Sequence, residues 1–426
     1  MVALPTETVF TWGAPPLKFG VGAADEIGYE LAQLGVGSAL VVTDAGVAAT
    51  GFPARVAEAI KNAGVDVGVY DEVRVEPTDR SFEEAVSRAA QGSWESFVAV
   101  GGGSTIDTAK AINLMTSYPG DVMDYVNKPV GRGMAPPGPL KPLIAVPTTA
   151  GTGAESTPVC VLDLLSLHVK AGISHPRLRP NLAVVDPLAT LSLPPEVTAA
   201  AGMDVLCHAL ESYTARPYDT FNRKRPEERV PYCGSNPISD TWTEKALVLL
   251  SNAFRRAVLN GNDLKARTDM MLAATVAGMG FGNAGVHIPH ACAYPIAGRV
   301  RDYRPAGYPQ DEPMVPHGQS VSLTAPAAFR FTFPTDPERH VHAARLLDAA
   351  TADAEPDPRE KLPAVLVALM RDIGIPNGIG AVGYAEADIP ALVEGTLKQQ
   401  RLLNVAPRQV SEADICEIFG ASLSNW

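Results

Sequence analysis

One carboxylate and a few imidazoles carry the most pointed chemistry in this chain. Asp204 and His208 are four apart in a stretch, residues 198–214, whose composition predicts a helix. Positions i and i+4 share a helix face, so the two side chains project together. Glu211 follows one turn later and is placed to support a ligand from behind. A second segment, residues 283–290, carries His287 and His290, and a third carries His317 between Pro316 and Gly318. These segments hold four of the eight histidines in the chain. A lone histidine usually packs or caps, but an Asp–His pair at helical spacing with two further histidine segments suits a divalent first-row metal. Spacing alone chooses neither between Fe(II) and Zn(II) nor between the histidines of the second segment.

A different chemistry is written near the N-terminus. Gly101-Gly102-Gly103-Ser104 lies between an apolar run, 97–100, and a helical stretch beginning at Thr105. At the end of a buried parallel strand, a helix N-terminus offers free N–H groups to a pyrophosphate, and glycines let the backbone come close. Residues 147–153 follow a second apolar run and bring Thr148, Thr149 and Thr152 into one turn, suited to phosphate and ribose. Asp44 closes the run 39–43, where a carboxylate accepts from ribose hydroxyls and repels a 2′-phosphate. NAD is therefore expected over NADP. There is no G-x-G-x-x-G: Gly20-Val21-Gly22 begins one, but position 25 is Asp.

The elements that must position these groups fall into two halves. Runs at 39–43, 65–70, 97–100, 143–146 and 183–186 read as strands, and those buried on both faces imply a parallel sheet covered by helices. Helices are expected at 53–62, 81–90 and 105–114, the second capped by Ser81 with Glu84 three residues on. Past about residue 187 the pattern turns helical, with stretches at 198–214, 240–259, 265–280, 337–351 and 359–374. Ser411 and Asp414 resemble a capping box. The expected plan is an α/β, Rossmann-like nucleotide-binding domain over 1–187 and an all-helical metal-binding domain over 188–426. The Pro/Gly-rich stretch 129–142 reads as a plain connection.

Composition sets the outer limits. With 426 residues, 46% of them hydrophobic and 19% charged, the chain can bury a sizeable core. A net charge of −12 argues against nucleic-acid and membrane-surface binding. Five widely spaced cysteines without a C-x-x-C pair read as reduced thiols. Residues 1–17 lack the basic start of a secretory or mitochondrial leader, so a cytoplasmic location is expected.

In their order, Gly101 to Lys110, Pro147 to Glu155, Gly202 to Glu211 and Asn283 to His290 resemble the iron-containing alcohol dehydrogenase family. The resemblance implies the dehydroquinate synthase-like two-domain plan, frequent homodimers, and a metal held by Asp204, His208, His290 and His317. It implies cofactor contacts from Asp44, Gly101, Gly102, Gly103, Ser104, Asp107, Thr148, Thr149, Thr152 and Lys170. One departure matters: where many members carry a further histidine for proton transfer, this chain has Tyr294. Residues 234–240, 308–317 and 381–384 with 387–390 resemble the hydroxyacid–oxoacid transhydrogenase branch. That branch oxidises 4-hydroxybutyrate, reduces 2-oxoglutarate and keeps its NAD bound between the two.

The expected reaction is thus hydride transfer between a hydroxyacid and NAD at a metal, with Tyr294 or His287 relaying the proton. Arg299, Arg301 and Arg304 are the candidate clamp for substrate carboxylates. The rival readings are an ordinary alcohol dehydrogenase that releases NADH, and a relative of glycerol dehydrogenases or sugar-phosphate cyclases.

Overall fold

In the computed structural model of the chain, residues 6–167, 169–229 and 231–426 are described. Two compact units emerge. One is Ala14–Ser192; the other joins the described residues up to Gly13 to Leu193–Trp426.

Among its described residues the first unit has eight strands: β1 (Leu17–Phe19), β2 (Ser38–Val42), β3 (Asp66–Tyr70), β4 (Ser96–Gly101), β5 (Leu143–Pro147), β6 (Val159–Leu164), β7 (Val169–Ser174) and β8 (Leu182–Val185). Six form one sheet in the order β1-β8-β5-β4-β2-β3, with every pairing parallel. Side chains alternate across a strand, and the two faces divide accordingly. Val41, Val98, Val100, Ile144 and Val146 pack with Ile27, Leu31, Val56 and Ile60 on one side. Leu40, Val42, Phe97, Ala99 and Ala145 pack with Ala85, Ala89, Ile106 and Ala109 on the other.

Two details differ from expectation. The helix Asp79–Ala89 is capped by Thr78, and Ser81 is the reciprocal N3 partner rather than the cap. The antiparallel hairpin β6–β7 was not expected, because its strands carry Asp163 and Lys170 opposite each other and only one face is apolar. That face, through Cys160, Leu162, Leu164 and Ile173, packs with Ala111, Leu114 and Met115 of the helix Gly103–Ser117.

The unit boundary also departs from residue 187. Asp186 accepts hydrogen bonds from Gly22 N, Ala24 N and Leu188 N, tying the turn Pro187–Thr190 to the sheet. At the other end, Asn283 both accepts from Gly13 N and donates to Gly13 O, each at 3.0 Å, so the first described residues belong with the helices.

Among its described residues the second unit has helices, loops and isolated bridges but no strand. The helix Pro195–Thr214 packs against Pro237–Leu259, Leu264–Ala284 and His317–Thr332. The helices Ile288–Gly298 and His317–Thr332 were not expected, because Pro289, Pro295 and Pro326 read as breakers. Pro289 lies in a first turn, where a missing N–H removes no helical bond. Among the described residues no helix is long and apolar enough to cross a membrane.

Candidate metal and cofactor sites

In the helical unit, Asp204 and His208 come from the 195–214 helix, His290 from the first turn of the 288–298 helix, and His317 from the first residue of the 317–332 helix. The three imidazole Nε2 atoms converge on one oxygen, Asp204 Oδ1, at 3.6 Å (His208), 3.4 Å (His290) and 3.8 Å (His317). A tetrahedral ion with bonds of ~2.1 Å has ligand–ligand edges of about 3.4 Å. Asp204, His290 and His317 place ligand atoms within 4.8 Å of one another. Asp204 Oδ1 and His290 Nε2 are buried and make no hydrogen bond, which is costly unless something else satisfies them. The donor set fits a divalent cation. Gly318 permits the convergence: a Cβ there would lie 1.9 Å from Ala200 O of the 195–214 helix.

Electrostatics agree with this reading. Burial would raise the Asp204 carboxyl, but the His208, His317 and His290 imidazoles outweigh it and hold the group below the usual carboxylate range. Burial opposes charge on His290, yet Glu211 and Asp204 push it up to about 9.

Behind these candidate ligands, the wholly buried Glu211 accepts from His290 Nδ1 at 2.8 Å, His290 N at 3.1 Å and His287 N at 2.8 Å. It therefore fixes both the ring and the backbone of His290, leaving Nε2 toward Asp204. Phe281 stacks on His208 with ring centroids 3.8 Å apart and planes 8° from parallel. Nothing in the sequence pattern had singled Phe281 out.

The two relay candidates separate. His287 is fully buried; its Nδ1 accepts from Ile288 N at 2.8 Å and its Nε2 lies 3.0 Å from Thr214 Oγ1. Burial lowers it to about 4. With both nitrogens engaged, this ring caps the 288–298 helix and lies against Thr214. Tyr294 is only partly buried and packs beside His317, centroids 6.1 Å apart.

The carboxylate-clamp expectation does not survive for two of its arginines. Arg301 pairs with Asp388 at 2.7 and 2.9 Å and donates to Gly383 O, and Arg304 donates to the carbonyls of Gln310 and Asp302. Both brace surface loops. Arg299 is exposed where the 288–298 helix ends.

In the α/β unit, β5, β4 and β2 are parallel neighbours, so their C-terminal ends share one sheet edge. Thr148, the Gly101–Gly103 turn, Thr43 and Asp44 all follow those ends. Thr43 Oγ1 and Thr148 Oγ1 are buried without a hydrogen-bond partner, flanking the N-terminus of the 103–117 helix. Thr43 was missed by the sequence reading because it looked like the last residue of a strand. A Cβ on Gly103 would lie 2.6 Å from Thr152 Cγ2, so only glycine lets these two turns meet. Asp44 caps the short helix after β2 by accepting from Val47 N at 2.9 Å, and it also accepts from Thr105 Oγ1 at 3.2 Å. Ser104 Oγ accepts from Glu76 N.

Asp107 and Lys170 have structural partners here. Asp107 accepts from Val161 N at 3.0 Å and is pushed up to about 6 by burial, against the pull of Lys110. Lys170 pairs with Glu76 and, at 3.5 Å, with Asp163. The fully buried Lys110 was quoted in the motif but given no role. Its ammonium donates to the carbonyls of Ala154, Thr157 and Val159 at 2.7 to 3.0 Å, stapling the turn after β5 to the 103–117 helix.

A parallel nucleotide-type sheet and a buried Asp–His cluster are the parts of a metal-dependent dehydrogenase. Residues 15–187 match the family described as iron-containing alcohol dehydrogenase, and residues 228–423 match its C-terminal region, so the chain belongs to the iron-containing alcohol dehydrogenase family. It is an oxidoreductase acting on CH–OH groups. A Bos taurus protein named hydroxyacid-oxoacid transhydrogenase, mitochondrial, is 46% identical over 422 residues, covering 98% of this chain and 91% of the bovine one. Among solved structures, 1,3-propanediol oxidoreductase superimposes with a TM-score of 0.85 at 30% identity, over 97% of this chain and all of that one. Sulfoacetaldehyde reductase from Bifidobacterium kashiwanohense in complex with NAD+ gives 0.81 at 26% identity, over 98% and 99%. The Homo sapiens relative shares the bovine name, including the word mitochondrial. That overturns the cytoplasmic location expected from the charge of residues 1–17, a narrow basis beside full-length similarity.

Proposed function

We propose that this chain is a hydroxyacid–oxoacid transhydrogenase that uses one divalent metal, held by Asp204, His208, His290 and His317, and one NAD. The convergence of three imidazole nitrogens on Asp204 Oδ1 carries the reading. When bound, the metal supplies Lewis acidity toward the alcohol or carbonyl oxygen, and the nicotinamide supplies a hydride acceptor and donor. Glu211 keeps His290 oriented. Phe281 covers one face of His208 and keeps water from it. Tyr294, beside His317, holds the proton that leaves the hydroxyl of one substrate and returns it to the carbonyl oxygen of the other.

Across the two half-reactions the hydroxyacid loses one hydride and one proton and the oxoacid gains both, so NAD is regenerated. The Gly101–Gly103 turn, Ser104 and the hydroxyls of Thr43, Thr148, Thr149 and Thr152 hold the dinucleotide phosphates and ribose. Asp44 sets the preference for NAD over NADP. Asp107 and Lys170, through the bonds described, hold the turn and hairpin around that edge. The α/β unit and the helical unit then act as the cofactor and metal domains of a homodimer.

The test incubates purified protein with 4-hydroxybutyrate and 2-oxoglutarate without added nucleotide. Succinate semialdehyde and 2-hydroxyglutarate are expected in equal amounts. A requirement for added NAD, with free NADH accumulating, identifies a simple dehydrogenase instead.

A further inference from the structure

We infer that His287 is a positioning residue, a brace that fixes the spacing of the three helices carrying the candidate metal ligands. The inference rests on the metal site proposed above. Glu211 fixes the ring of His290, but ligands borne by separate helices keep one geometry only while packing and hydrogen bonds hold those helices together.

The fully buried His287 ring meets all three helices. Its Nδ1 accepts from the N–H of Ile288, the first residue of the 288–298 helix, at 2.8 Å. Its Nε2 lies 3.0 Å from the hydroxyl of Thr214, the last residue of the 195–214 helix. Phe329 of the 317–332 helix packs on it nearly edge to face, with centroids 6.1 Å apart and planes 76° from parallel. In the same order, those helices carry His290, the Asp204–His208 pair and His317. The residue's main chain adds a fourth tie, from His287 N to Glu211 Oε2 at 2.8 Å.

The protons on this brace have one consistent arrangement. A backbone N–H can only donate, so Nδ1 carries no proton, and the neutral ring carries its proton on Nε2. That Nε2–H donates to Thr214 Oγ1, whose own proton goes to Leu210 O at 2.7 Å. Each donor from Ile288 N through His287 Nε2 to Thr214 Oγ1 therefore has its acceptor. A satisfied buried chain of this kind admits one register of the two helices and penalises any other. An aliphatic side chain of similar size would fill the space and fix nothing.

The experiment measures Zn(II) affinity of the metal-free protein by competition with a chelator, well below the melting temperature. It compares wild type, Thr214→Ser, Thr214→Val, His287→Phe and the Thr214→Val, His287→Phe double variant, with the melting temperature of each metal-free protein recorded. Thr214→Val strands the Nε2 proton and is expected to weaken Zn(II) binding about 10-fold or more. Thr214→Ser keeps the hydroxyl and is expected to bind as wild type does. His287→Phe keeps the ring but loses both polar bonds, and is expected to weaken binding at least as much as Thr214→Val. Adding Thr214→Val to it should cost nothing further, because the two residues act through one bond. A lowered melting temperature with wild-type Zn(II) affinity in Thr214→Val and His287→Phe overturns the inference. So does an equal loss in Thr214→Ser and Thr214→Val, and so do losses that add in the double variant. Should His287→Phe fail to fold, the two Thr214 variants decide alone. A wild type that binds neither Zn(II) nor Fe(II) overturns the metal site and this inference with it, whereas a wild type that binds beside unaffected variants overturns the inference alone.

Discussion

Replacing Glu211 by Gln changes one atom of a fully buried side chain, yet its effect can be worked from three bonds. Glu211 Oε2 accepts from His290 Nδ1 and His287 N, and Oε1 accepts from His290 N. A glutamine has one acceptor oxygen. If it takes the place of Oε2, the amide NH2 faces His290 N, donor against donor. In the reverse orientation two donors are stranded. An unsatisfied buried donor costs about 1–3 kcal/mol, and the remaining bonds lose their charge assistance. A net loss of ~2–3 kcal/mol corresponds to a drop in melting temperature of roughly 4–12 °C for a unit of this size. His290 loses its fixed ring, so metal affinity should fall about 10- to 100-fold. Competition with a chelator reads the affinity and thermal unfolding reads the stability, with His317→Ala as the variant that removes a ligand outright. Wild-type metal affinity in Glu211→Gln would refute the argument that this carboxylate orients His290.

For the cofactor, Asp44→Asn is more informative than alanine, because asparagine caps a helix as well as aspartate does. It should narrow the preference for NAD over NADP while keeping stability within about 0.5 kcal/mol; an unchanged ratio of kcat/KM for the two nucleotides would remove Asp44 from specificity. Tyr294→Phe should lower kcat and alter its pH profile while metal content stays at the wild-type level. Turnover and pH profile identical to wild type would leave Tyr294 as packing.

The central strands and the Asp204–His208 pair were legible in the sequence for the same reason: both are local patterns, whereas the full candidate ligand set came from the family resemblance. Apolar runs mark β2, β4 and β5, and the Asp204–His208 spacing places two candidate ligands on one helix face. What escaped notice depends on distant partners. The 288–298 and 317–332 helices tolerate proline through position and packing, so residue-by-residue propensity misjudges them. The β6–β7 hairpin alternates polar and apolar residues around a charged pair that is favourable only once paired across strands. Residue 13 joins the helical unit through Asn283, 270 positions away, which no pattern within a window can reveal. Arg301 looked available until Asp388 was found beside it, 87 residues downstream. His287 and His290 look alike in sequence; which of them turns toward Asp204 depends on Glu211 and Thr214.

Lys110 has a consequence of its own. Its ammonium sits among the carbonyls of Ala154, Thr157 and Val159 and the Thr157 hydroxyl, as a potassium ion would in a carbonyl cage. The chain carries its own counterion there, attached by a covalent tether that cannot diffuse away. The shape of the turn after β5 should therefore be indifferent to the identity of the monovalent salt in the buffer. The amine itself, sealed from solvent, should escape acylating reagents that modify the exposed lysines of the same chain.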